Sequence, residues 1–205
     1  MSESPLTIDV GPHRLEARHR PGEGERAAVI CHPHPSYGGT MDNNVVLAAR
    51  DALAAAGWGT LRFNFRGVGQ SGGRHAEGVG EAEDLGPVLA ALADREPVEV
   101  HLAAYSFGAW VALRATTDGR VDPASLMVFS PPVDFMPFDR LRLPGCPCLL
   151  VVGDRDEFCG LGSLDGWLSG QDTAAVTKVV LPGTDHFYGG PQPGLTSAIT
   201  DFVTG

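Results

Sequence analysis

Lysine is nearly missing from this sequence: Lys178 is the only one in 205 residues, and the formal net charge is −10. The arginines are scattered and form no basic run. So acidic a chain repels phosphate backbones, and nucleic-acid binding is not expected. No stretch of about 18 apolar residues occurs, so no membrane span is expected either. The opening residues, Met1-Ser-Glu-Ser-Pro, lack the basic region and apolar core of a signal peptide. Cysteine is scarce. Cys31, Cys146, Cys148 and Cys159 show no disulfide framework, the middle pair flanking a single proline. Reduced thiols and a cytoplasmic location are the expectation. A metal site built from Cys31, His32 and His34 is conceivable, but the spacing is poor for metal ligation. No metal or cofactor is expected.

What is present is globular: 43% hydrophobic and 20% charged residues, with 27 glycines and 16 prolines separating short elements. The length suits one domain over residues 1–205 with one sizeable core. Pro5 to Arg18 reads as a β-hairpin turning at Gly11-Pro12. Strand–helix alternation follows. Ala27–Cys31 is a buried strand, Asp42–Ala56 a helix ended by Gly57, and Thr60–Phe65 a strand. Glu81–Asp94 is a helix in which Pro87 must occupy the first turn or produce a kink. Val98–Ala104 and Phe107–Thr116 are the next strand and helix. Leu126–Phe129, Cys148–Val152 and Val176–Leu181 are further strands, and Leu195–Val203 is a closing helix. Such repeats predict an α/β fold: a mostly parallel central sheet, helices on both faces and an N-terminal antiparallel hairpin. Ligands bind such sheets at the carboxyl ends of the strands.

Ala104-Tyr-Ser106-Phe-Gly108 falls at a strand-to-helix junction. A sharp reversal there needs small residues two before and two after the serine, and would push the Ser106 hydroxyl above the sheet. The Phe107 N–H then lies at a helix N-terminus, where it can stabilise an oxyanion. The plainer alternative is a serine that caps the helix. His186 and Asp156 each follow a later strand and so reach the same edge, as base and orienting acid. Asp154 is the alternative acid, better read as a turn residue, and Asp185 as a solvated loop carboxylate. A second oxyanion donor must come from the 32–40 loop, where Pro33 and Pro35 have no N–H. His34 is preferred, with Ser36 and Tyr37 behind it. The His32 and His34 side chains read as loop-fixing partners, while His13, His19 and His75 fall in polar segments expected to be exposed. The glycine-rich run after Arg66 is not followed by Gly-Lys-Ser/Thr. It reads as a structural turn, with Arg66 paired to Glu81 or Asp84.

Four segments together resemble the α/β-hydrolase superfamily, in the small lidless bacterial branch near the dienelactone hydrolases. They are His32-Pro-His-Pro with Gly38-Gly-Thr-Met, Arg62-Phe-Asn-Phe-Arg-Gly-Val-Gly, Tyr105-Ser-Phe-Gly-Ala and Gly153-Asp-Arg-Asp-Glu-Phe. Ala104 departs from the superfamily's usual first glycine. The resemblance implies a catalytic triad of Ser106, Asp156 and His186, with Phe107 and His34 as oxyanion donors. The connection from Ser130 to Pro147 is too short for a lid domain, so a shallow, open site is expected. Tyr37, Phe135, Phe158 and Phe187 are candidates to line it. The expected activity is hydrolysis of a small or medium acyl or aryl ester through an acyl-enzyme. A thioesterase or acyltransferase would use the same residues, and a non-catalytic binding protein of this fold is the reading from a different class. The sequence carries no signature of oligomeric state.

Overall fold

The computed structural model describes residues 2–95 and 99–205. An eight-stranded sheet has the order β1-β2-β4-β3-β5-β6-β7-β8. Its first members, β1 (Ser4–Asp9) and β2 (Arg14–Arg20), form the antiparallel hairpin, and β2 continues antiparallel to β4 (Gly59–Phe63). All remaining pairs are parallel: β3 (Arg26–Cys31), β5 (Glu99–Tyr105), β6 (Leu126–Phe129), β7 (Cys148–Gly153) and β8 (Val176–Leu181). Val98, where the sequence reading starts β5, lies outside the described residues.

The central strands are apolar at nearly every position because both faces are covered. Ala28 and Ile30 of β3 face α1 (Asn44–Ala55) and α5 (Pro193–Thr204). The alternate residues Ala27, Val29 and Cys31 face α2 (Val79–Ala93) and α3 (Phe107–Thr117). Leu53, Leu85, Leu113 and Ile199 are among the side chains shielded from water. Each contributes about 1.5–3 kcal/mol relative to exposure.

Several boundaries differ from expectation for local reasons. Helix α1 starts at Asn44 because Asn43 is its cap, accepting from the Val45 N–H at 2.9 Å. Strand β4 ends at Phe63; Asn64 still donates its N–H to the Glu16 carbonyl, and its side chain takes the Met41 N–H and donates to the Glu16 carboxylate. Helix α2 begins two residues early, at Val79, with Glu81 reaching back to the Gly78 N–H. Pro87 therefore lies inside the helix, not in its first turn. Helix α4 (Leu161–Leu168) was not expected at all; it holds two glycines and buries only Leu164, against Val152 and Cys159. Arg66 selects Asp84, with a two-point contact at 2.7 and 2.6 Å.

Strand order reverses around β3. From β3 the chain crosses to β4 on one side, and from β4 it returns to β5 on the other. The loops after β3 and β5 therefore diverge and leave a crevice between them. No helix of the described residues is long and apolar enough to cross a membrane.

Where β7 ends, the backbone meets the loop after β8 with no room for a side chain. A Cβ on Gly153 would stand 2.0 Å from the Thr184 carbonyl oxygen. Gly153→Ala should therefore cost about 1–3 kcal/mol in a urea unfolding titration. An unchanged midpoint would contradict this packing.

Candidate active site

Ser106 joins β5 to α3 at φ 55°, ψ −119°, in the region L-residues avoid. Such strain costs on the order of 1–3 kcal/mol and persists only when the surroundings enforce it. Two neighbours do so. The Ser106 N–H donates to the Phe129 carbonyl at 2.9 Å. Gly108 lets α3 approach β3, where a Cβ would be 2.6 Å from the His32 carbonyl oxygen. The helix-capping alternative fails, because the Ser106 side chain makes no cap bond. Its Oγ instead lies 2.9 Å from His186 Nε2.

His186 stands in the loop after β8, and its Nδ1 is 2.8 Å from Asp156 Oδ1. An ionised carboxylate only accepts hydrogen bonds, so Nδ1 carries the ring proton and Nε2 is left to accept from Ser106. Burial raises the Asp156 carboxyl, but the His186 hydrogen bond, the nearby Ser130 hydroxyl and the Phe158 N–H outweigh it. The net result is a value below the usual carboxylate range. Among the described residues, Asp154 makes no local turn bond but bridges to the next loop, taking the Gly183 N–H at 2.6 Å. Exposed Asp185 takes the Phe187 N–H.

The 32–40 loop folds on its own histidines. His34 Nδ1 accepts the Ser36 N–H, and its carbonyl accepts those of Tyr37 and Gly39. Burial and neighbouring His75 hold His34 below the usual imidazole value, which suits an accepting Nδ1. Ser36 and Tyr37 are thereby spent as oxyanion donors. Among the described residues, the His34 and Phe107 N–H groups have no protein acceptor. His32 takes the Phe65 N–H at Nε2 and contacts the Pro33 carbonyl through Nδ1 at 2.6 Å. Both its nitrogens are occupied, and the Cys31 thiol is buried and pushed up in pKa. Among the described residues, no cluster of three or more His, Cys, Asp or Glu side chains is placed to hold a metal ion.

A cavity of about 230 Å³ opens beside Ser106, and Tyr37, Phe135, Phe158 and Phe187 all border it, with Met136. Tyr37, Phe135 and Phe187 are more than half exposed, so the mouth is open. Phe158 also packs on His186 at 4.7 Å between ring centroids.

Three histidines expected in exposed segments are mostly enclosed. His19 follows Leu15 and Ala17 on the covered face of β2. His13 lies 3.6 Å from Asp84, and His75 folds back against His34. Two further side chains, given no role by the sequence alone, brace the site. Tyr105 OH donates to the His186 carbonyl at 2.7 Å, and Asn44 Nδ2 donates to the Phe187 and Tyr188 carbonyls. All three bonds fix the loop that carries His186.

A strained serine at the switch point of a parallel sheet, facing a buried histidine and carboxylate, is the arrangement of an α/β hydrolase. Sequence and structure comparisons agree. A serine hydrolase without a lid from Xanthomonas campestris is 33% identical, with a TM-score of 0.90 over 100% of this chain and 94% of that one. An α/β serine hydrolase homologue from Coxiella burnetii is 36% identical, with a TM-score of 0.87 over 98% and 97% of the two chains. An uncharacterized protein of Rickettsia prowazekii is 33% identical over 94% of this chain and 86% of its own length. No family model matches the sequence. The chain belongs to the α/β-hydrolase superfamily, in its lidless serine-hydrolase branch.

Burial of His32 has a consequence for stability, because it lowers this imidazole to about 4. The unfolded chain takes up this proton near pH 6.5, before the folded one. Stability is therefore lost as pH falls from about 6.5 to 4, by up to about 3 kcal/mol from this residue. The urea midpoint should drop more steeply over that window in the wild type than in His32→Gln. Parallel curves would contradict the assignment.

Proposed function

We propose that the protein is a serine-dependent carboxylesterase acting on an uncharged ester with a small or medium acyl or aryl group. The hydrogen-bonded chain Ser106–His186–Asp156 carries this reading. In it, His186 takes the Ser106 proton as Oγ attacks the ester carbonyl, and Asp156 stabilises the imidazolium that forms. The negative charge on the carbonyl oxygen falls to the N–H groups of Phe107 and His34. His186 then returns the proton to the leaving alcohol. Water, activated by the same imidazole, releases the acid and restores Ser106. No cofactor enters these steps.

Two features support hydrolysis of neutral esters over the alternatives. The mouth is open and no lid covers it among the described residues, so water reaches an acyl-enzyme and favours hydrolysis over transfer to another acceptor. Among the described residues, the cavity is bordered by aromatic side chains and by no lysine or arginine, in a protein of charge −10. A phosphate-bearing thioester would find no counter-charge there and would be repelled at long range. Tyr37, Phe135, Phe158 and Phe187 supply the apolar surface for the acyl or aryl group.

Turnover of 4-nitrophenyl esters tests the reading. Ser106→Ala should lower kcat by at least about 10⁴-fold, and Asp156→Asn by about 10³- to 10⁴-fold with little change in KM. Neutral acyl groups should be preferred over a succinyl group of similar length. Equal turnover by wild type and Ser106→Ala would sink the assignment.

A further inference from the structure

The proposed oxyanion donors belong to loops that follow different strands, and no hydrogen bond among the described residues joins His34 to Phe107. Their side chains provide the connection. The His34 ring centroid is 4.7 Å from that of Phe107. A third ring completes a triangle: His75 lies 5.1 Å from His34 and 5.5 Å from Phe107. One imidazole thus touches both residues whose N–H groups must point at one oxygen.

His75 is held in turn by Glu81, which is fully buried in the first turn of α2. Its Oε1 is 2.8 Å from His75 Nδ1 and accepts the Ala76 N–H at 2.9 Å, while Oε2 accepts the Gly78 N–H at 2.9 Å. A carboxylate tied at three points makes a stiff anchor, and charge-assisted bonds of this kind are roughly twice as strong as neutral ones. The start of α2 is itself braced on α3. Gly78, at φ +81°, presses against Trp110, where a Cβ would stand 2.3 Å from the indole ring. Arg66 clamps Asp84 one turn further along. Glu77, just before Gly78, has φ 52°, a conformation a non-glycine residue adopts only under constraint.

We propose that His75, oriented by Glu81, is a positioning residue that fixes the separation and aim of the two oxyanion donors. This rests on the serine-hydrolase reading above and goes beyond it. His75 does not border the substrate cavity, so its effect runs through the donors and not through ground-state contacts. A single well-placed donor is worth about 10²- to 10³-fold in kcat, and partial misalignment forfeits part of that.

The test compares wild type, His75→Ala and His75→Phe, each shown to be folded at the assay temperature. The readouts are kcat and KM for a neutral 4-nitrophenyl ester and the rate of Ser106 labelling by a fluorophosphonate, whose phosphoryl oxygen uses the same donors. His75→Ala should lose about ten-fold or more in kcat and in labelling rate, with KM within two-fold of wild type. His75→Phe keeps a ring against His34 and Phe107 and should recover about half of that loss on a logarithmic scale. Wild-type kcat and labelling rate in His75→Ala, or a loss confined to KM, would overturn the proposal alone. A wild type that is neither labelled nor active would overturn the serine-hydrolase reading, and this inference with it.

Discussion

Everything at this site depends on a backbone held where it would not go unaided. Ser106 at φ 55° is tolerable only because β5 on one side and α3 on the other are locked in place. The lock is built from absence of bulk. Gly108 has no side chain to keep α3 from Cys31 and His32, and Ala104 is small enough to lie fully buried beneath the turn. Once the turn is enforced, the Ser106 hydroxyl is brought to His186 and the Phe107 N–H, the first of α3, is left without a protein acceptor among the described residues. Relaxing the turn would remove both together.

The rest of the sheet brings the partners to that point. β5 lies beside β3 and β6, and β6 beside β7, so the loops after β3, β7 and β8 reach the same edge as Ser106. Each loop is then pinned individually: the first by its own histidines, the second and third by Asp154 bridging to Gly183. Tyr105, directly before the serine, reaches over to the His186 carbonyl. Ser106, His186 and Asp156 are buried while Tyr37, Phe135 and Phe187 are exposed, which suits the proposed reaction, in which water enters last.

Much of this was legible because the signals are local. Most strands are short apolar runs; Ser106 follows β5 directly, and Asp156 and His186 stand in the loops just after β7 and β8, so their proximity could be read from chain order. β6 and β8 coincide with expectation because both are bounded by turn residues. What escaped the reading is non-local or weakly patterned. Two glycines and a single buried leucine hide α4. The start of α2 is set by a glutamate reaching back to Gly78, a glycine with no side chain to signal a cap. His75 looked exposed because its neighbours are polar, yet a turn of the chain lays it on His34, 41 positions earlier in the sequence.

The central claim is that Ser106 becomes acylated. Rapid mixing with excess 4-nitrophenyl ester, followed by acid quench and intact-mass measurement, tests it most directly. The expected result is a burst of nitrophenolate approaching one equivalent, with an acyl-sized mass increase that maps, after digestion, to the peptide containing Ser106 and is missing in Ser106→Ala. Turnover without an adduct on that peptide, or an adduct that persists when Ser106 is removed, would contradict it.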